Sequence, residues 1–165
     1  MRVLVTGGVR SGKSAHAEQL LAGRPVVTYV ATGPEPAADD PAWAERVRAH
    51  QGRRPPGWRT AREVPAVGPV LLDSLGTWVA GCLDELDGWT TDTWQAAYEE
   101  RASALITALA ALDDLVVVSD EVGLGGVGAD PGSRLFADLL GALNQRVASV
   151  CDEVHLVVAG RVLRL

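Results

Sequence analysis

The feature that most constrains this chain is Gly7-Gly8-Val9-Arg10-Ser11-Gly12-Lys13-Ser14, a complete G-x-x-x-x-G-K-[ST] pattern. It follows the apolar run Val3-Leu4-Val5 and opens a helical pattern, Ser14 to Leu21, that stops at Gly23 and Pro25. Strand, glycine turn and helix in that order make a phosphate cradle. The glycines let backbone N–H groups turn inward around an anion, and the helix N-terminus adds a favourable dipole. Lys13 places a compact charge on the terminal phosphates, and Ser14 offers a hydroxyl to Mg²⁺. Lys13 is also the single lysine among 15 basic residues, which sets it apart in a chain that otherwise uses arginine. The motif implies nucleotide binding and leaves the reaction open.

The rest of the chain continues the pattern. Val26–Val30, Val70–Leu72, Leu115–Val118 and Val154–Val158 are mostly continuous apolar runs, as expected of strands buried on both faces of a parallel sheet. Helical patterns separate them. Asp40-Pro41 reads as a cap followed by proline at the first helical position, opening a helix through about His50 that Gly52 and Pro55-Pro56 end. Leu75, Trp78, Val79, Cys82 and Leu86 keep helical spacing, as do Trp94, Tyr98, Leu105, Leu109 and Leu112. Asp130-Pro131 repeats the cap signal ahead of Phe136, Leu139, Leu140, Leu143 and Val147. Ala159-Gly160 joins Val154–Val158 to Arg161–Leu165 as a tight hairpin, so the last strand is expected antiparallel at an edge. The expected architecture is an α/β three-layer sandwich with a mostly parallel sheet, one domain spanning residues 1–165. Two stretches, Thr32–Asp40 and Gly52–Gly68, read as long irregular loops, which in a compact domain are usually functional.

Composition narrows the classes of function. Asp plus Glu is 21 against 15 basic residues, a formal charge of −6 that argues against a dedicated nucleic-acid or anionic-membrane binder. No apolar window approaches the roughly 20 residues of a membrane span, and the first apolar run is too short for a signal peptide. Cytoplasm is the expected location. Cys82 and Cys151 lack C-x-x-C spacing and read as buried apolar fillers in a reducing compartment.

A P-loop needs a carboxylate at the end of a neighbouring strand to help hold the metal. Asp73 after Val70–Leu72 and Asp120-Glu121 after Val116–Val118 are the candidates, each also readable as a cap or turn residue. Of the three histidines, His155 lies inside an apolar strand and reads as structural, and His16 follows the P-loop, near phosphates, where it reads as a packing residue or one that supports the residues touching the ligand. His50 closes a short helix on which Trp43, Val47 and His50 share a face. From the residues alone, packing against Trp43 and nucleophilic catalysis are equally open for it. Arg46, Arg48, Arg53, Arg54, Arg59 and Arg62 crowd the same region, which reads as a solvated basic face or, in an acidic chain and beside a phosphate-transferring histidine, as triphosphate recognition.

Four ordered blocks resemble one known family. They are Thr6–Glu18; Arg46–His50 with Arg54-Pro55 and Trp58-Arg59-Thr60; Leu71–Leu75 with Trp78-Val79; and Glu121-Val122-Gly123-Leu124-Gly125 with Arg134, Phe136, Asp138 and Asn144-Gln145-Arg146. The chain resembles the bifunctional adenosylcobinamide kinase / adenosylcobinamide-phosphate guanylyltransferases of cobalamin biosynthesis. The resemblance implies a RecA-like P-loop fold, a homotrimer and two reactions. ATP or GTP phosphorylates adenosylcobinamide; GMP is then transferred from GTP through a covalent guanylyl-histidine, giving adenosylcobinamide-GDP and pyrophosphate. It implies catalytic roles for His50 and Lys13. Nucleotide contacts are expected from Gly7 through Ser14, from Ala31, Thr32 and Gly33, and from Gln51, Gly52, Arg53, Arg54, Arg62 and Asp73. Mg²⁺ is expected on Ser14, Asp73 and Glu121. Two positions depart from the family pattern. Gly128 stands near the place of a proline, so the loop Gly123–Gly132 is expected to be looser, and Arg62 stands where a glutamate is usual. A P-loop kinase of another small alcohol, or a non-catalytic nucleotide-binding module, is the alternative.

Overall fold

The computed structural model describes residues 1–34, 41, 44–45, 47–48, 52, 54–126 and 128–165. Its elements run β1 (Arg2–Gly7), α1 (Lys13–Leu20), β2 (Thr28–Ala31), β3 (Arg59–Ala61), β4 (Val70–Asp73), α2 (Leu75–Glu85), α3 (Gln95–Ala110), β5 (Leu115–Asp120), α4 (Pro131–Val150), β6 (Glu153–Val158) and β7 (Arg161–Arg164). A 3₁₀ turn at Gly123–Gly125 precedes α4. Pro41, Ala44, Glu45, Val47 and Arg48 are helical too, in the stretch where the cap signal at Asp40-Pro41 predicts a helix, whereas Gly52, expected to end that helix, is itself helical.

The strands form a seven-stranded sheet in the order β3-β2-β4-β5-β1-β6-β7. Every pairing is parallel except β6 with β7. Burial on both faces explains the continuous apolar runs. Leu4, Val30, Leu72 and Val117 point into a core shared with Val79, Leu83, Leu105, Leu109 and Leu140 of α2, α3 and α4. Their neighbours Val3, Val5, Leu71, Val116 and Val118 point the other way, onto Ala17 and Leu21 beside α1. This period-two partition gives the predicted three layers. The closing hairpin is also as predicted: Ala159 and Gly160 have φ of 48° and 75°, the left-handed pair that a two-residue turn requires.

One strand was not legible. β3 falls inside the stretch Gly52–Gly68 predicted as loop, because Arg59-Thr60-Ala61 carries no apolar pattern. It is a short edge strand held by parallel pairing to β2 rather than by burial. Among the described residues no helix is long and apolar enough to cross a membrane.

The sheet places the chemistry. β1 lies between β5 and β6, and Gly7 is in register with Asp120 on one side and Val157 on the other. Asp73 ends β4, the next strand beyond β5, in register with Val118. The P-loop and both predicted acid-ended strands therefore open at the same carboxyl edge, where ligands of parallel α/β sheets bind.

Candidate active site

The P-loop takes its shape from backbone that ordinary side chains resist. Gly12 has φ 98° and Arg10 φ 58°. A Cβ on Gly7 would lie 2.5 Å from the Val157 carbonyl oxygen and 2.6 Å from Ser11 Oγ, so strand packing itself demands glycine there. The Gly160 N–H donates to the Ser11 carbonyl at 2.8 Å, and the β6–β7 turn thereby braces the loop from behind. Gly12 caps α1 with no side-chain acceptor, which leaves the first amides of the helix to an anion. Ser11 Oγ is buried with no hydrogen-bond partner among the described residues. Val9 is exposed at the loop tip and Gly8 is open around its Cα.

Lys13 reaches over this cradle. Its Nζ lies 2.8 Å from Asp120 Oδ1 and donates to the Gly8 carbonyl at 3.3 Å. The two side chains are mostly shielded, 13% and 32% exposed. Asn144 of α4 fixes the end of β5. Its Nδ2 donates to the Asp120 carbonyl at 3.2 Å, and Ser119 Oγ donates to its Oδ1 at 2.5 Å. Glu121 accepts the Gly123 N–H at 3.3 Å and has Thr6 Oγ1 at 3.4 Å. Asp73 Oδ2 accepts a 2.8 Å hydrogen bond from the buried Tyr29 hydroxyl.

These groups suit Mg²⁺ in kind. The Ser14 hydroxyl and the carboxylates of Asp73, Asp120 and Glu121 are hard oxygen donors beside a phosphate cradle, and Mg²⁺ usually takes one or two carboxylates together with phosphate and water. Among the described residues no group of three His, Cys, Asp or Glu forms a cage that would hold a metal alone.

The arginine-rich segment is placed differently from the simple expectation of arginines facing phosphate. The Arg54 guanidinium lies 3.4 Å from the Tyr29 ring centroid, and its Nη1 donates to Thr60 Oγ1 at 3.0 Å. Arg62 Nη1 donates to the carbonyls of Ala31 and Gly33. Its departure from the family glutamate is thus occupied in holding the predicted nucleotide segment. Thr32 Oγ1 is likewise engaged, donating to the Ser74 carbonyl at 2.6 Å and accepting the Ser74 N–H at 3.0 Å. Arg48 and Arg59 are exposed, as is Gly52. His50, Gln51, Arg46 and Arg53, for which the sequence predicts catalytic or nucleotide contacts, lie outside the described residues.

The other two histidines form a chain. His16 Nε2 and His155 Nδ1 are 2.9 Å apart, and His155 Nε2 stands 2.8 Å from Glu153 Oε2. Burial first, then His155 and Arg164, push the His16 pKa down. These contacts accord with the structural reading of His155 and the packing reading of His16. Cys82 is buried as expected, whereas Cys151 is only half-buried.

Sequence reasoning missed two positioning residues. Tyr29 is hidden inside an apolar strand. Asn144, quoted in a motif, has its role announced only by a polar residue beside Leu143 on the buried stripe of α4. The loop after β5 is also better anchored than Gly128 suggests. A Cβ there would lie 2.5 Å from Ser133 Cβ, and Arg134 Nη1 donates to the carbonyls of Gly128 and Ala129 at 3.2 and 2.9 Å. Close packing, not looseness, accounts for the glycine.

Comparison with known proteins extends this picture. Residues 3–165 match the family described as cobinamide kinase / cobinamide phosphate guanyltransferase. The bifunctional adenosylcobalamin biosynthesis protein CobU of Salmonella typhimurium is 36% identical over 178 residues, covering 97% of each chain. CobU of Escherichia coli K12 is 35% identical over 178 residues with the same coverage. CobP of Pseudomonas aeruginosa is 36% identical over 166 residues, 97% of this chain and 94% of that one. Among solved structures, an ATPase from the type III secretion system of pathogenic bacteria superposes with a TM-score of 0.52 at 11% identity. The alignment spans 94% of this chain and 50% of the ATPase, and it shows a likeness of fold alone. By its match along almost its whole length, the chain belongs to the cobinamide kinase / cobinamide phosphate guanyltransferase family.

Proposed function

We propose that this enzyme phosphorylates the hydroxyl of the aminopropanol arm of adenosylcobinamide and then converts the phosphate to adenosylcobinamide-GDP, with ATP or GTP serving the first step and GTP the second. The observation that carries the reading is the full-length family match joined to a formed P-loop whose lysine meets an acid at the carboxyl edge of the sheet.

In the first step the substrate hydroxyl oxygen attacks the γ-phosphorus, the bond to the β–γ bridging oxygen breaks to release the nucleoside diphosphate, and the hydroxyl proton passes to solvent water. Amides of Gly8 through Ser14 and the Lys13 ammonium stabilise charge on the phosphate oxygens. Ser14 with Asp73, Asp120 or Glu121 would hold Mg²⁺, which when bound neutralises phosphate charge. In the second step a neutral His50 nitrogen attacks the α-phosphorus of GTP and pyrophosphate leaves. An oxygen of the substrate phosphate then attacks the same phosphorus and the P–N bond breaks. Arg54 and Arg62, with Ala31, Thr32 and Gly33, shape the edge of the nucleotide site through the contacts described above. The working unit is a homotrimer, its size measurable by sedimentation.

GTP labelled at the α-phosphate tests the proposal. The label is expected to remain on the protein as an acid-labile, base-stable adduct. His50→Ala should lose it while keeping the kinase step, which depends on positioning and charge rather than on that nucleophile. Equal labelling of His50→Ala removes His50 from the mechanism.

A further inference from the structure

Beyond Asp120 the carboxyl edge of the sheet opens into a cleft of about 520 Å³. Trp89, Val122, Gly128, Asp130, Ser133 and Phe136 are among the residues that line it. The cleft adjoins the phosphate site through Val122 and Phe136 of its wall. A Cβ placed on Gly76, at the start of α2, would lie 2.7 Å from Asp120 Oδ2 and 3.7 Å from Phe136 Cζ. The carboxylate that meets Lys13 and the ring that walls the cleft therefore flank one point. Val122 lies two residues beyond Asp120 on the same strand exit.

The aromatic mouth is held ready in advance. Trp89 is 42% exposed, unusual for so large an apolar group, yet its indole is fixed. Its Nε1 donates to Asp84 Oδ1 at 2.6 Å, and its six-membered ring packs where a Cβ on Gly132 would sit, 3.7 Å away. The opposite rim is equally fixed. Asp130 accepts the Ser133 N–H at 2.9 Å as the cap of α4, and Arg134 ties down the Gly128 and Ala129 carbonyls. An exposed aromatic that is held rigid loses little conformational freedom when a ligand covers it.

We infer that this cleft is the seat of the phosphoryl acceptor. It takes the hydroxyl-bearing arm of the acceptor and one apolar edge of its body, Trp89 and Phe136 stacking on that edge while the arm runs past Val122 toward the phosphate above Lys13. The volume admits an arm and an edge but not a whole macrocycle, so the body of the substrate stays outside against Trp89. The missing Cβ atoms at Gly76 and Gly128 let Asp120 and Phe136 close onto α2 and the loop after β5 close onto α4, which sets the wall and the rim of the cleft. This inference rests on the kinase reading above and adds to it which residues hold the acceptor.

Kinetics of Trp89→Ala and Phe136→Leu test it, with Trp89→Phe as the conservative control. Loss of one aromatic contact corresponds to about a tenfold change in an equilibrium. KM for adenosylcobinamide should rise about tenfold in Trp89→Ala and recover in Trp89→Phe. KM for the nucleotide, and labelling of the enzyme by GTP without acceptor, should stay within twofold in all three. An unchanged KM for adenosylcobinamide in both Trp89→Ala and Phe136→Leu overturns the cleft while leaving the kinase reading intact. A parallel rise in nucleotide KM also overturns it, because the cleft would then be part of the nucleotide site. If Phe136→Leu does not fold, Trp89→Ala against Trp89→Phe decides alone, since Trp89 lies at the surface. Wild-type protein that never phosphorylates adenosylcobinamide rejects the kinase reading itself and the inference with it.

Discussion

The Tyr29 hydroxyl donates to Asp73 across 2.8 Å, tying the β2 strand to the acid that ends β4. The ring of the same tyrosine carries Arg54 on its face, so one buried side chain touches both the arginine segment and a candidate metal acid. Burial, and then the neighbouring Asp73 charge, hold the Tyr29 hydroxyl well above the ordinary phenol range, so it remains a donor at any pH the protein meets. Tyr29→Phe keeps the ring and removes this bond to a charged acceptor, a loss of about 1.5–3 kcal/mol. For a chain of this size that corresponds to a fall in Tm of roughly 3–10 °C. The Mg²⁺ concentration for half-maximal kinase activity should rise as Asp73 loses its orientation. Thermal melts and a Mg²⁺ titration check both, and a variant matching wild type in each would show the bond to be idle.

Lys13 and Asp120 neutralise each other in the free protein, and nucleotide phosphates must compete with the carboxylate for the lysine. Asp120→Asn removes that competitor. GTP affinity without Mg²⁺ should therefore tighten severalfold, read by equilibrium dialysis. Lys13→Met should instead lower the kinase rate by about 10²–10³, the range seen when a donor to developing charge is removed. A Mg²⁺-free affinity that weakens in Asp120→Asn would mean the pair organises the loop rather than blocking it.

The part of this site that follows local chemistry was readable in sequence. Gly7–Ser14 announces itself because each residue type answers a local backbone or phosphate demand, and the acids Asp73 and Asp120 could be placed by counting to the ends of apolar runs. The helix and hairpin signals at Asp130-Pro131 and Ala159-Gly160 are equally local. What stayed hidden depends on which strands become neighbours. Nothing in Val26–Val30 says that Tyr29 will face Asp73, and nothing in Arg59-Thr60-Ala61 marks an edge strand held by hydrogen bonds alone. The cleft at Trp89 is the extreme case, assembled from the α2–α3 connection, the loop after β5 and the start of α4.

Cys151 offers a pH test independent of ligands. Burial is the main cause that pushes its thiol up to about 11 from the usual 9.0. Two units lower the thiolate fraction about a hundredfold at pH 8, and the thiolate is the species that alkylates. Iodoacetamide should therefore modify Cys151 about a hundredfold more slowly in the native than in the unfolded chain, read by peptide mass spectrometry. The native state holds this proton more tightly than the unfolded one. Its contribution to stability is complete below pH 9 and lost as pH rises toward 11. Native labelling as fast as unfolded labelling would contradict the assigned burial.

Thr32 joins three elements through one hydroxyl. Its Oγ1 donates to the Ser74 carbonyl, accepts the Ser74 N–H, and lies 2.6 Å from Thr77 Oγ1. Ser74 and Thr77 are themselves the capping box that starts α2. Thr32→Val has almost the same shape but leaves the Ser74 N–H without this acceptor in a nearly buried setting, a cost of about 1–3 kcal/mol. The family resemblance places Thr32 at the nucleotide, and the two roles predict different losses. If the hydroxyl serves mainly to dock α2, Thr32→Val should lower Tm by roughly 2–10 °C while GTP affinity, measured well below the transition, changes less than twofold. If instead affinity falls tenfold with an unchanged Tm, the hydroxyl belongs to the ligand and the contacts to Ser74 are incidental. Ser74→Ala separates the cap from the bridge: it removes the side-chain oxygen that caps Thr77 N–H, costs about 1 kcal/mol, and leaves the bonds from Thr32 to the Ser74 backbone in place.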